Sequence, residues 1–504
     1  MQINILEFLE NTSIKYGDKV AVKDIDEQRS FKDLQNNSRK IGSSLVRFEL
    51  FGKIVPVFME KSILALESFF GIVYAGAGYS LLSPIHPDER VLSILDILES
   101  PVVITDTIHY ERLQKTGYQG TILLAEELVK EEINSRALEQ IRSMHIDTDA
   151  LYVNFTSGST GVPKGVVVSH RSTIDFISYF VDIFNITDKD IIGNQAPFDF
   201  DVSVKDIYSM LLTGATMYII PREIFSEPKK LLDILDEEHI TTLIWAVSAL
   251  CIITSLKGFR YKIPQYINKV MFSGEVMPVM HFKEWHKALP EAIFVNLYGP
   301  TEITCNCTYY VVDGKLEYEK GIPIGKAFPN ERVFLLDKRG ELIAEPNVEG
   351  EICVSGTAVG LGYYKDKAKT DLAFVQNPMN KQYNEMCYRT GDLAYYQEDG
   401  NLIYVGRKDF QIKHMGHRIE LFELDSHIQN VSGVERVCCL YNHQKQQIIA
   451  IYQGDAEKSI IKAELRKKIM KHMIPDKFIK VETLPLNKNG KIDRKELTRI
   501  YLEG

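Results

Sequence analysis

Residues 156–166 read T-S-G-S-T-G-V-P-K-G-V, directly after the apolar, strand-like run A-L-Y-V-N-F at 150–155. Glycines let a backbone turn tightly enough for several N–H groups to converge on one anion. Hydroxyls add donors and a lysine adds charge. The loop therefore has the chemistry of a phosphate grip. It is not a Walker A loop, which needs G-x-x-x-x-G-K-[ST] opening a helix. Here Pro163 precedes Lys164 and G-V-V-V follows it, so Lys164 leads into a strand. Taken alone the stretch also reads as a flexible Gly/Ser turn, and its surroundings have to decide.

On the N-terminal side, Ile5 to Tyr16 and Phe31 to Phe48 carry apolar residues at helical spacing. Lys19 to Lys23, Lys53 to Phe58 and Pro101 to Thr105 read as strands. The rhythm resumes after Asn154, with strands at 166–168, 216–220 and 242–246 and helices at 171–184 and 228–238. Strands alternating with helices predict βαβ units and parallel sheets, here as two doubly wound units in tandem. From about Gly321, short alternating runs such as R-V-F-L-L-D and G-E-I-C-V-S-G predict a β-rich subdomain. After Gly406 the pattern is that of a small α+β unit. The expected class is thus α/β, with a large N-terminal domain at 1–406 and a small C-terminal domain at 407–504.

A chain of 504 residues is too long for one core. No run of eighteen apolar residues offers a membrane span. The N-terminus, M-Q-I-N-I-L-E-F-L-E-N, has no basic region or small-residue cleavage site. Seven cysteines without a C-x-x-C pair read as reduced thiols of a cytoplasmic protein. Cys305 with Cys307, and Cys438 with Cys439, read as packing residues, because no His/Cys partner set accompanies them. Charge is uneven: 19 Lys+Arg against 13 Asp+Glu from Arg407 onward, and 40 against 55 before it. The break suggests a separate basic unit whose partner is nucleic acid or an acidic protein.

Eight segments then occur in a familiar order. They are Y-A-G-A-G-Y-S-L-L-S-P-I-H-P-D-E-R (74–90), T-S-G-S-T-G-V-P-K-G (156–165), F-D-V-S (200–203), N-L-Y-G-P-T-E (296–302), G-E-I-C-V-S-G (350–356), Y-R-T-G-D-L (388–393), G-R-K-D-F-Q-I-K (406–413) and N-G-K-I-D-R (489–494). Together the chain resembles, over nearly its whole length, the ANL superfamily of adenylate-forming enzymes. Within it the likeness is to stand-alone amino-acid adenylation proteins, such as D-alanine–carrier protein ligases, and to adenylation domains of nonribosomal peptide synthetases. The resemblance implies ATP-dependent activation of a carboxylate as an acyl-AMP, then transfer to the phosphopantetheine thiol of a carrier protein. ATP and Mg²⁺ are the implied cofactors. An acyl- or aryl-CoA ligase is the alternative, and an inactive adenylate-binding module a third reading.

The resemblance also assigns residues. Thr156, Ser157, Gly158, Ser159, Thr160, Gly161 and Lys164 would hold the β- and γ-phosphates. Asn296, Leu297, Tyr298, Gly299 and Pro300 would form the nucleotide floor, with Tyr298 on adenine. Thr301 would touch the α-phosphate and Glu302 would hold Mg²⁺, a hard cation suited to carboxylate oxygen. Asp392 would accept from the ribose hydroxyls, with Tyr404 and Arg407 beside it. Lys491 would bridge the substrate carboxylate and the α-phosphate. Asp409 would be the hinge of a mobile small domain. In a second pose K-H-M-G-H-R (413–418) would replace Lys491, with Gly416 letting pantetheine pass close to the backbone. Since carrier proteins of the family are generally acidic, the basic small domain then fits carrier docking better than nucleic acid. No L-G-G-x-S carrier motif appears, so the carrier is expected in trans.

Asp201 matches the aspartate that pairs with a substrate α-ammonium, and a fatty or aryl acid would leave it buried without a counter-charge. The plainer reading of Asp201 is a helix N-cap. The rest of the pocket, by register, is Val202, Lys205, Trp245, Met271, Ser273, Leu297, Cys305 and Asn306. Trp245 would fill space and favour a small substrate. Ser273 replaces the cysteine usual in D-alanine ligases. Lys205 either faces an acidic substrate or pairs with Asp201 four residues before it. The expected substrate is a small amino acid, D-alanine among the candidates.

Overall fold

A computed structural model of the chain describes residues 2–157, 162–313, 318, 321–486 and 492–502. Among these residues, seven strands form one sheet, in the order Gly362–Tyr363, Lys164–Ser169, Ala150–Thr156, Gly78–Leu82, Ile54–Phe58, Val102–Thr105 and Thr121–Leu124. Nine form a second: Lys326–Ala327, Thr308–Val311, Ile293–Tyr298, Lys269–Ser273, Thr242–Ala246, Ile191–Asn194, Thr216–Ile219, Val20–Lys23 and Gln28–Ser30. The central strands of both are parallel. Helices Phe31–Leu45, Ile63–Tyr74 and His170–Ile183 start where Ser30, Ser62 and Ser169 accept from a backbone N–H inside the first turn.

The two wound units are interleaved, not consecutive. Val20–Lys23 leaves the first to lie beside Thr216–Ile219, with Val22 opposite Met217. The hairpin of Ala150–Thr156 and Lys164–Ser169, expected to open the second unit, closes the first. Periodicity identifies a strand but not the sheet edge that satisfies its backbone. Helix Ile63–Tyr74 is buried at every residue except Leu64, as an element packed on several sides must be.

From Gly321 the chain builds an antiparallel sheet from Leu342–Ile343, Glu331–Leu336, Gly350–Gly356, Met386–Tyr396 and Phe374–Gln376, with Leu402–Arg407 added on Met386–Tyr396. Beyond it come the hairpin Gln411–His414/His417–Glu420, a sheet of Val434–Asn442, Gln447–Gly454 and Lys477–Lys480, and helices Leu421–Gln429, Lys458–Lys468 and Arg494–Leu502. These residues bury their own core around Leu424, Ile428, Ile448 and Ile461. No helix among the described residues is long and apolar enough to cross a membrane.

Candidate active site

A cleft opens at the C-terminal ends of the parallel strands Lys269–Ser273 and Ile293–Tyr298, where open α/β sheets bind ligands, and the 411–420 hairpin closes over it. At one end lies Asp201, in the turn before helix Ser203–Thr213. The Thr301 hydroxyl donates to Asp201 Oδ2 at 2.5 Å. Burial pushes the Asp201 carboxyl up, while the Thr301 hydrogen bond and the charges of Lys205 and Lys413 pull it back. Its Oδ1 has no hydrogen-bond partner among the described residues. Val202, Ser273, Cys305 and Asn306 line the same cavity.

Gly299 is required by its neighbours, because a Cβ there would stand 2.5 Å from Asn306 Cα. Thr304, at φ +68°, turns the chain after Thr301–Ile303 so that Cys305 and Asn306 face inward.

At the other end, the Tyr298 hydroxyl donates to Asp392 Oδ2 at 2.6 Å and Arg407 Nη1 donates to Asp392 Oδ1 at 2.7 Å. Asp392 and Arg407 sit opposite one another in adjacent strands, which fixes the pair. The Tyr404 ring lies 6.1 Å from that of Tyr298. Arg407 also grips Asp409 with two hydrogen bonds, of 2.6 and 2.8 Å. Burial alone would raise the Asp409 carboxyl, but this guanidinium outweighs it and holds it below the ordinary range.

Glu302 is fully buried and holds three partners. Arg418 Nη1 donates to both carboxylate oxygens at 3.0 and 2.8 Å, the Tyr363 hydroxyl donates at 2.8 Å, and Lys164 Nζ lies 3.4 Å away. Burial opposes ionisation, yet Arg418 and Lys164 hold the carboxyl far below its usual range. Among the described residues no three His, Cys, Asp or Glu side chains gather as a metal site. With Arg418 bound across both its oxygens, Glu302 fits a divalent cation only when Arg418 withdraws.

The 413–418 segment is thus seated in the cleft. Ser157 Oγ donates to the Arg418 carbonyl at 2.8 Å, Gly416 N donates to Glu275 at 3.1 Å, and Lys413 Nζ lies 5.9 Å from the Tyr298 ring centroid. His417 meets Phe200 edge-on at 4.8 Å.

Several expected residues lie elsewhere. Gly158 to Gly161 and Lys491 fall outside the described residues. Thr156, Ser157, Pro300 and Thr301 line the cleft. Asn296 does not: its amide donates to the Pro323 carbonyl at 2.8 Å and ties down that segment. Leu297 and Met271 are core residues. Trp245 faces a different core, donating to the Gly193 carbonyl at 2.7 Å and packing on Phe225. It pairs in register with Phe272, so the residue on Ser273's face is Ala246. Trp245 therefore does not fill the substrate pocket. Lys205 neither lines the cavity nor pairs with Asp201. Asp201 precedes the helix, so the four-residue spacing brings no shared face, and Lys205 Nζ instead donates to Asn306 Oδ1 at 2.7 Å. Three participants had not been singled out: Arg418, Tyr363 and Lys413. Arg418 and Lys413 lie inside a stretch already marked as mobile, and that was the available signal.

Residues 9–364 match the AMP-binding enzyme family. The chain is 31% identical to zwittermicin A synthase ZmaJ of Bacillus cereus, over 99% of this chain and 95% of that one. It is 29% identical to the D-alanine–D-alanyl carrier protein ligase of Lacticaseibacillus rhamnosus, over 98% of each. It spans only 8% of tyrocidine synthase 3 of Brevibacillus parabrevis and 11% of gramicidin S synthase 2 of Brevibacillus brevis, which it also matches. The crystal structure of the Vibrio cholerae adenylation domain AlmE, in complex with glycyl-adenosine-5'-phosphate, superposes with a TM-score of 0.85 at 20% identity, over 99% of this chain and 98% of that one, and shares the fold. The chain belongs to the AMP-binding family of adenylate-forming enzymes.

Proposed function

We propose that this enzyme joins an amino acid to AMP and passes it to the phosphopantetheine thiol of an acidic carrier protein in trans, as a cytoplasmic reaction. The observation that carries the reading is Asp201. Its carboxylate accepts from Thr301 on Oδ2, the residue lines the cavity, and Lys205 is engaged elsewhere. A half-buried carboxylate with one oxygen unpaired is stabilised by an ammonium ion and disfavours an apolar acid.

In the first step a substrate carboxylate oxygen attacks the α-phosphorus, the bond from that phosphorus to the bridging oxygen breaks, and pyrophosphate leaves. Residues 156–161 and Lys164 would retain the pyrophosphate, Asp392 the ribose, and Lys491 the charge gathering between carboxylate and α-phosphate. Glu302 would hold Mg²⁺ once Arg418 is withdrawn, and the ion would neutralise phosphate charge. In the second step the thiol loses its proton, its sulfur attacks the acyl carbon, and AMP departs. The small domain, residues 407–504, would turn about Asp409 between the two steps, bringing Gly416 and its neighbours to the cleft for the second.

The test is ATP–pyrophosphate exchange over a panel of D- and L-amino acids. Exchange with a small amino acid is expected, and Lys491→Ala should abolish it while ATP still binds. Unchanged turnover in that variant would sink the mechanism. CoA-dependent AMP release with a fatty or aryl acid, and none with amino acids, would overturn the substrate class.

A further inference from the structure

We propose that Asn306 and Ser273, with Lys205 positioning Asn306, select an amino acid whose short side chain ends in a hydroxyl. This rests on the amino-acid reading above and deepens it. Lys205 is fully buried, and Asn306, Ser273 and Cys305 are 2–3% exposed. The lysine nitrogen can only donate. Its 2.7 Å contact therefore fixes which end of the Asn306 amide is oxygen, and the Cys305 thiol, 3.4 Å from the same oxygen, adds to this. Asn306 Oδ1 faces Lys205, which does not line the cavity, and Nδ2 is left with two N–H groups that find no acceptor among the described residues. The Ser273 hydroxyl likewise has no partner there, and both residues line the cavity that Asp201 faces.

The wall thus presents an amide donor and a hydroxyl able to donate or accept. A substrate hydroxyl fits both, accepting from Asn306 and donating to Ser273. A methyl group satisfies neither, and a buried donor left unpaired is unfavourable. A side-chain carboxylate would be desolvated in the same cavity as Asp201. Lys205 offers it no direct counter-charge, because the lysine does not line the cavity and its nitrogen donates to Asn306, which does. Lys205 is therefore a positioning residue and not a substrate ligand.

The experiment compares serine, alanine and aspartate, both enantiomers, in ATP–pyrophosphate exchange. Serine of one hand should exceed alanine and aspartate in kcat/KM by about tenfold or more, the effect of one lost buried hydrogen bond. Asn306→Leu and Lys205→Met should bring serine level with alanine, chiefly through the KM for serine. A merely structural role would lower both substrates together and leave their ratio intact. Should the variants fail to fold, the wild-type affinities for the non-hydrolysable seryl and alanyl sulfamoyladenosines decide, with the seryl analogue the tighter. Alanine equal to serine in the wild type, or an unchanged ratio in folded variants, overturns the inference and leaves the amino-acid reading standing. No exchange with any amino acid sinks both.

Discussion

Asp201 shows how one side chain can be both locally satisfied and functionally open. Thr301 supplies a hydrogen bond to one oxygen, but among the described residues no full positive charge touches the carboxylate. Burial raises its affinity for a proton above that of an ordinary aspartate. An α-ammonium supplies the missing charge and reverses that shift. Asp201→Asn can still accept from Thr301, so the turn should survive, while the charge pairing is lost. The KM for the amino acid is expected to rise by about tenfold to a hundredfold, the range for a charge-assisted hydrogen bond, with the KM for ATP little changed. The sign with pH follows. In the free enzyme the raised pKa means the carboxylate protonates earlier as pH falls, so the amino-acid KM of the parent climbs on the acid side. The Asn variant should lack that limb. A pH profile of KM for both proteins checks this, and parallel profiles would remove Asp201 from the ammonium site.

At the scale of elements, the 411–420 hairpin closes the site by a turn that needs glycine. Gly416 sits at φ +79°, and a Cβ there would meet Ser248 Oγ at 3.4 Å and Ala246 Cβ at 3.5 Å. The space admits a methyl, but a β-branched residue is a poor occupant of left-handed backbone. Gly416→Val should therefore cut carrier loading, measured by mass spectrometry of the carrier, far more than ATP–pyrophosphate exchange. Equal loss of both would show that the turn serves the first step too. The N-L-Y-G-P-T-E turn was legible because its glycine and proline have local chemical reasons. Helix Phe31–Leu45 and strand Gly350–Gly356 were legible from periodicity and turn signals. The face of Trp245 was not, since T-L-I-W-A is a parallel strand buried on both sides and has no alternation to read. Nor was the partner of Lys205, which lies 101 residues away on a different element.

Across the whole molecule, the two basic groups on Glu302 come from opposite sides of the proposed hinge. Lys164 belongs to the large domain and Arg418 to the small one, 116 residues beyond Glu302. Ser157 and Glu275 bind the backbone of the same small-domain segment, while Arg418 brings a charge to a fully buried carboxylate. Removing one partner of such a pair leaves the other uncompensated, at roughly 3–5 kcal/mol. That is enough to shift a docking equilibrium by more than about a hundredfold. Arg418→Met should therefore release the small domain from the cleft, and Glu302→Gln should do the same from the other side. A divalent cation has the same claim on Glu302 as Arg418, so MgATP should undock the wild type while Arg418→Met, already released, changes little. The exposed residues Leu256 and Ile460, one on each domain, give labelling positions as cysteines for pulsed-EPR distances. Wild type without nucleotide should show one short distance, and MgATP or either substitution should lengthen or broaden it. If Arg418→Met keeps the wild-type distance and still responds to MgATP, the ion pair does not hold the two domains, and the contacts at Ser157, Glu275 and Phe200 carry the docking instead.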